Sequence, residues 1–256
     1  MIVRHVLITA GSKGLGKMMT DYFLKKGYSV TATYRSDKER ADQLVEIYKD
    51  KQDRLQVLQL DVTNKKQIDE VVDQAVNRFG RIDCFVSNAG PYIFERKKLV
   101  DYEEEEWNQM VNGNLDVSFY FLKKIIPLMR SQQFGRVVFL GFQGVNNTPG
   151  WIYRSAFAAA KVGTASLMKT VALEEAEYGI TANMVAPGNI TGEMKESPIE
   201  ESRQVAETET PIGRPGTGED IARTVGFLCE DDSDMITGSV IEVTGGLDVI
   251  HRHLTK

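Results

Sequence analysis

The 256-residue sequence predicts an α/β domain built on one doubly wound sheet of seven parallel strands flanked by helices. Three observations carry that expectation. Short apolar runs rich in branched residues alternate with segments of helical spacing from end to end. The first run breaks into a glycine-rich turn that opens directly into a helix. No repeat, low-complexity tract or linker interrupts the alternation, so the whole of 1–256 reads as one domain. Alternation of this kind places helical crossovers on both faces of a parallel sheet, with ligands bound beyond the carboxyl ends of the strands.

The elements follow in order. Residues 3–9 form a branched apolar run, and 15–26 carry Leu15, Met18, Met19, Tyr22 and Phe23 at helical spacing before Gly27 stops the helix. Residues 29–34 read as a strand, 38–50 as a helix, 55–60 as a strand and 65–79 as a helix with Ile68, Val71, Val72, Ala75 and Val76 on one face. A strand at 84–87 precedes one long helix over 103–130, whose Glu103–Glu106 run suits the positive end of the helix dipole. Strands at 136–140, 181–185 and 239–243 alternate with helices at 155–178 and 220–229.

Composition excludes several function classes. With 42% hydrophobic and 26% charged residues the chain is neither disordered nor collagen-like. A net charge of −5 argues against a protein whose main work is gripping nucleic acid or an anionic membrane. No apolar run reaches the ~18 residues of a membrane span, and the first residues lack a secretory leader, so a cytoplasmic protein is expected. Cys84 and Cys229 stand 145 positions apart with no CxxC, which leaves no disulfide framework. His251 and His253 form a His-x-His without a third ligand nearby, so no metal site is expected.

Chemistry gathers at the ends of the strands. The turn Thr9-Ala10-Gly11-Ser12-Lys13-Gly14-Leu15-Gly16 sits between strand and helix, where backbone donors and the helix dipole receive a pyrophosphate. The second strand ends in Tyr34-Arg35 where a carboxylate would hold a ribose 2′-hydroxyl. Lys13 and Arg35 converging on a 2′-phosphate would instead select NADP(H), unless both cations are simply solvated. Asp61, before Val62, is placed to meet an adenine amino group, and Asn88-Ala89-Gly90 forms a small-residue turn against which a cofactor lies.

These motifs, with Asn114-Leu115, Gly135-Arg136-Val137-Val138, Ala158-Ala159-Ala160-Lys161, Gly179-Ile180-Thr181-Ala182-Asn183, Pro187-Gly188 and Gly245-Gly246, resemble the short-chain dehydrogenase/reductase family over nearly the whole chain, most closely its 3-oxoacyl-(acyl-carrier-protein) reductases. The resemblance implies a Rossmann-type sheet, NADP(H), an acyl substrate carried by a thioester or by acyl carrier protein, and a homotetramer or dimer. It adds Ile190 to the cofactor set and makes 191–214 a cover over the substrate. The family's catalytic set is asparagine, serine, tyrosine and lysine. Asn114 and Lys161 fill the first and last positions, but Phe142 stands for the serine and Phe157 for the tyrosine. A phenyl ring neither donates a proton nor hydrogen-bonds an oxyanion. Tyr153 and Gln143 are the candidate substitutes. Ala10 departs from the family's glycine, and the threonine common after Pro187-Gly188 stands one place early, at Thr191. Lys123, Lys124, Arg130 and Arg136 read either as a patch for an acidic carrier or as a solvated face. Three functional readings follow: an NADP(H)-dependent reductase with a displaced proton donor, a catalytically defective nucleotide-binding sensor, or a structural subunit.

Overall fold

The computed structural model describes residues 2–247, so the His251/His253 reading falls outside the described residues. Seven parallel strands form one sheet in the order β3-β2-β1-β4-β5-β6-β7. They are β1 (His5–Ile8), β2 (Ser29–Tyr34), β3 (Leu55–Gln59), β4 (Cys84–Ser87), β5 (Gly135–Leu140), β6 (Ile180–Pro187) and β7 (Val240–Val243). The order reverses between β1 and β4, which opens a crevice at their carboxyl ends.

The helices are α1 (Gly14–Lys25), α2 (Lys38–Ile47), α3 (Lys65–Phe79), α4 (Glu104–Val111), α5 (Val117–Gln132), α6 (Ser155–Glu174), α7 (Ile199–Ser202) and α8 (Gly218–Leu228). Local chemistry fixes several of their ends. The Asn64 side chain accepts from Lys66 N and Gln67 N to start α3, and Gly80, at φ +75°, ends it. Thr217 and Asp220 cap α8 reciprocally, with Arg214 gripping Asp220 at 2.8 Å. The acidic run behaves as expected, placing Glu104, Glu105 and Glu106 in the first turn of α4.

The two faces of the sheet carry separate cores. Leu7, Phe85, Phe139 and Met184 face α3, α5 and α6, where Phe85 and Phe121 stack with ring centroids 4.7 Å apart. Val6, Ile8, Val138 and Val185 face α1 and α8, with Phe23 and Ile221 between. Burying one such side chain is worth about 1.5–3 kcal/mol.

Two expectations are corrected. The helix expected over 103–130 is interrupted by a π-helical turn at Asn112–Asp116, which carries Asn114 and separates α4 from α5. Such one-residue widenings re-aim side chains, and they recur at functional positions. Neither reading of Lys123, Lys124, Arg130 and Arg136, a carrier patch or a solvated face, holds for all four: Arg130 pairs with Glu175 at 2.6 Å and Lys124 with Asp73 at 2.9 Å. Arg136 is buried, donating to the carbonyls of Gly135, Gly179, Glu230 and Asp231. Cys84 and Cys229, distant in sequence, lie near each other as buried free thiols.

Candidate active site

The crevice between β1 and β4 is assembled by side chains that strap the two turns together. Thr9 Oγ1 accepts from Asn88 N at 2.9 Å and Ala89 N at 2.8 Å, while Asn88 Nδ2 donates to Thr9 O and Ala10 O. Ala10 adopts φ +52°, the left-handed conformation for which glycine is the ordinary choice. Gly16 has no alternative, since a Cβ there would stand 1.9 Å from Ala10 O. Ser12 is buried, and Gly14, Leu15 and Gly16 form the first turn of α1, presenting its amino end. Gly90 lies so close to Asn114 that a Cβ would come within 2.3 Å of Asn114 Oδ1. Gly11, Gly16 and Gly90 therefore let the turns after β1 and β4 pack directly against their neighbours, which a side chain at any of them would prevent.

At the tip of β2, Tyr34 ends the strand and Arg35 projects into solvent. Lys13 reaches toward the same strand end: its Nζ pairs with Asp37 Oδ2 at 3.0 Å, and Asp37 also caps α2. Asp61 accepts from Thr63 N at 2.9 Å and Thr63 Oγ1 at 2.7 Å, and the Thr63 N–H holds its carboxyl below the usual range. Val62 is buried beside it in the core.

At the other end of the crevice, Lys161 is buried on α6, and its Nζ donates to Leu140 O at 2.9 Å. Burial without a charged partner lowers its ammonium to about 8. Asn114 donates to Pro91 O and Met110 O, each at 3.0 Å, while its buried Oδ1 has no partner. This orphaned acceptor beside the Gly90 cradle fits a bound dinucleotide or the water beside it.

Phe142 and Phe157 form an aromatic wall. Phe142 packs on Trp151 at 5.0 Å between centroids, and Phe157 lies 6.0 Å from each of those rings. Tyr92 stands edge-on to Phe157 at 5.0 Å, and Lys161 Nζ lies 5.8 Å from the Phe157 centroid. Gln143 Nε2 donates one of its two hydrogens to Leu247 O at 2.6 Å. Tyr153 enters α6 at φ +63°, and its carbonyl accepts from Arg154 Nη1 and Tyr102 Oη. Among the described residues the ring contacts of the wall do not include Tyr153. Sequence reasoning overlooked Tyr92 and Arg154. Arg154 Nε donates to Tyr92 Oη at 2.6 Å across 62 positions, a pairing that no local spacing announces.

Just ahead of the segment expected as a cover, the Gly188 N–H donates to Val243 O and Ile190 is buried. Residues 191–214 are folded back rather than loose. A short helical turn at Gly192–Glu196 precedes α7. Glu196 Oε1 accepts from Gly14 N at 2.8 Å at the amino end of α1 and also pairs with Arg40. Ile199 N donates to Glu219, and Arg214 holds Asp220. A cavity of about 250 Å³ lies between Gly188, Ile190, Arg214, Thr244 and Gly245. Among the described residues no cluster of acidic, histidine or cysteine side chains could hold a metal, and no helix is long and apolar enough to cross a membrane.

Fold and crevice together define an oxidoreductase scaffold of the dinucleotide-binding kind, and the chain belongs to the short-chain dehydrogenase/reductase family. The family model described as enoyl-(acyl carrier protein) reductase matches residues 9–248. YtkK of Bacillus subtilis (strain 168), provisionally named an oxidoreductase, is 59% identical over 254 residues, covering 99% of this chain and 100% of YtkK. The 3-oxoacyl-[acyl-carrier-protein] reductase FabG of Thermotoga maritima is 37% identical, covering 94% of this chain and 96% of FabG. Among solved structures, a Bacillus thuringiensis chain provisionally described as a 3-oxoacyl-reductase superposes with TM-score 0.92 at 62% identity, covering 97% of this chain and 100% of that one. ElxO with NADP bound superposes with TM-score 0.82 at 30% identity, covering 96% and 98%, as does a Tyr-to-Phe variant of ElxO with NADPH bound.

Proposed function

We propose that this protein is an NADP(H)-dependent oxidoreductase that reduces the carbonyl of a 3-oxoacyl thioester or a similar acyl ketone, using an atypical active site. One observation carries the reading: the glycine turns after β1 and β4 meet at the switch point of the sheet, where the buried Asn114 Oδ1 has no partner, and Lys161 is buried without a charged partner. Bound there, NADPH would supply hydride. Ser12 and the first turn of α1 would hold its pyrophosphate, and Asp61 and Val62 would hold the adenine. Asn88, Ala89, Gly90, Pro187, Gly188 and Ile190 would line its path, and Lys161 would hold the nicotinamide ribose. Arg35, exposed at the tip of β2 near the Asp61 carboxylate, would meet a 2′-phosphate, with Lys13, held by Asp37, close to the same strand end. The NADP-bound and NADPH-bound ElxO structures support this cofactor, and the second of them shows that a tyrosine-to-phenylalanine change is compatible with NADPH in a relative. The names of the FabG relatives support the acyl substrate class and a carrier-bound form. The aromatic wall suits an apolar acyl chain and excludes water from the reacting carbonyl. A cytoplasmic homo-oligomer is the expected context.

A second reading, a silent NADP(H)-binding protein with a sensing role, is favoured by the same wall, because Phe142 and Phe157 remove both family hydroxyls. General acid catalysis is worth ~10²–10⁴-fold, so the two readings differ measurably. NADPH binding is followed by fluorescence, and NADPH oxidation with acetoacetyl-N-acetylcysteamine is compared between the native protein and Phe142→Ser/Phe157→Tyr. Steady native turnover supports the reductase. Intact binding with turnover only in the double variant establishes the silent binder, and absence of NADPH binding refutes both.

A further inference from the structure

We propose that Tyr92, held by Arg154, is the displaced proton donor of this active site; the inference rests on the reductase reading above. The family's phenol is missing at Phe157, but the ring that packs edge-on against Phe157 is itself a phenol, with its centroid 5.0 Å away. Tyr92 follows Asn88-Ala89-Gly90-Pro91, the turn that lines the crevice, so its ring joins the cofactor cradle to the aromatic wall.

Arg154 fixes that phenol. Its Nε donates to Tyr92 Oη at 2.6 Å, Nη1 donates to Tyr153 O at 2.8 Å and Glu95 O at 2.7 Å, and Nη2 donates to Phe94 O at 3.0 Å. The guanidinium thus ties the segment after β4 to the start of α6 by three bonds, with a fourth to its neighbour Tyr153 O, and none of the four goes to a carboxylate. Because Arg154 can only donate, Tyr92 Oη must accept from it, and the phenolic hydrogen is directed elsewhere. Phe94 closes the other side of Tyr92, with rings 5.0 Å apart. The arrangement is a phenol beside a fixed cation, which stabilises the oxyanion left when the proton departs. The other nearby donors are engaged differently: Gln143 is bound to Leu247 O and Lys161 Nζ to Leu140 O.

In the step so assigned, the substrate's carbonyl carbon receives hydride from NADPH and the C=O π pair moves onto oxygen. That oxygen takes the proton from Tyr92 Oη, leaving a phenolate opposite the Arg154 Nε–H. The ketone is reduced to an alcohol, NADPH is oxidised to NADP⁺, and solvent returns the proton to Tyr92. Tyr92 is the catalytic residue of this step, and Arg154 is its positioning residue.

The test uses a readout that does not require turnover. Acetophenone labelled with ¹³C at the carbonyl is bound to the protein loaded with NADP⁺, and its carbonyl stretch is read by infrared difference spectroscopy. A hydrogen bond from Tyr92 lowers the stretch in the native protein. Tyr92→Phe, which keeps the ring and its packing, returns the stretch toward the free value, and Arg154→Lys gives an intermediate position. NADPH affinity measured by fluorescence stays within about twofold in both variants. With acetoacetyl-N-acetylcysteamine, kcat falls ~10²–10⁴-fold in Tyr92→Phe and recovers in part in Tyr92→Phe/Phe157→Tyr, which restores a phenol one ring away. A carbonyl band unchanged by Tyr92→Phe, no bound-ketone band at all, or native kcat in Tyr92→Phe overturns the assignment. Failure of the native protein to bind NADPH overturns the reductase reading itself, and with it any proton-donor role.

Discussion

Replacing Ala10 with glycine should stabilise the protein. Ala10 sits at φ +52° in the turn between β1 and α1, a conformation that brings Cβ close to the backbone. For an L-residue this costs roughly 1–2 kcal/mol. Glycine removes that cost but has more freedom in the unfolded chain, which returns about 0.4–1 kcal/mol. The net expectation is a gain of ~0.5–1 kcal/mol. Ala10 takes part through its backbone atoms only, with Ala10 N donating to Thr33 Oγ1 at 3.1 Å and Asn88 Nδ2 donating to Ala10 O at 3.2 Å, so the substitution leaves both bonds intact. The residue is half-buried, so losing one methyl group forfeits little packing. For a chain of this length each kcal/mol moves Tm by about 2–4 °C, which gives a rise of roughly 1–4 °C. Equilibrium urea unfolding with coincident fluorescence and circular dichroism transitions measures the free energy directly. Equal or lower stability for Ala10→Gly would refute the claim that this turn stores strain.

Two further outcomes follow from the site. Lys161 titrates near 8 in the folded protein against 10.5 when free, so at neutral pH its buried charge is a cost. The unfolded chain binds more protons between those values, so this group makes stability rise with pH from about 8 to 10.5. Lys161→Met should therefore be more stable than the native protein at pH 7, by ~1–3 kcal/mol once the lost bond to Leu140 O is allowed for, with the gap closing by pH 10.5. Urea unfolding at the two pH values checks this, and a pH-independent gap would contradict it. Glu196→Gln removes a carboxylate from the amino end of α1, where a dinucleotide phosphate is expected. NADPH should then bind about 2–5-fold more tightly, by fluorescence titration at low salt, in keeping with ~0.5–1 kcal/mol for a charge at a helix terminus. Weaker binding would show that the clasp supports the cleft rather than competing for it.

The parts of this molecule that were legible in its sequence are those governed by local periodicity. The bounds of β2, α3 and β4 coincide with the apolar runs and the Gly80 stop because neighbouring residues alone decide them. The cofactor cradle was legible for the same reason: a glycine where Gly16 stands is imposed by its own turn. Contacts between distant segments were not. Glu196 meets Gly14 across 182 positions, and Arg154 meets Tyr92 across 62; neither residue type carries a signal of its partner. The π turn escaped notice because one extra residue barely disturbs a helical pattern over 103–130. Arg136 was misread because a cation in a sequence is assumed to be solvated. Four backbone carbonyls satisfy its donors here, and only the closure of the chain around Glu230 and Asp231 brings them there.

The distribution of local costs separates the two ends of the crevice. Ala10 holds a left-handed backbone, Lys161 holds a buried ammonium without a carboxylate, and Asn114 leaves a buried acceptor unpaired. Each is locally unfavourable, although Lys161 and Asn114 also satisfy the carbonyls of Leu140, Pro91 and Met110. A ligand that draws on backbone donors, an ammonium and an acceptor gives a further reason to keep all three. All three border the path assigned to the cofactor. The aromatic wall carries no such cost, since Phe142, Trp151 and Phe157 are satisfied by one another. The unfavourable groups therefore gather near the glycine turns, while the far side of the crevice is packed with rings. The polar group to interrogate beside those rings is the Tyr92 phenol, held by the Arg154 guanidinium, whose hydrogen bonds among the described residues all go to uncharged oxygens.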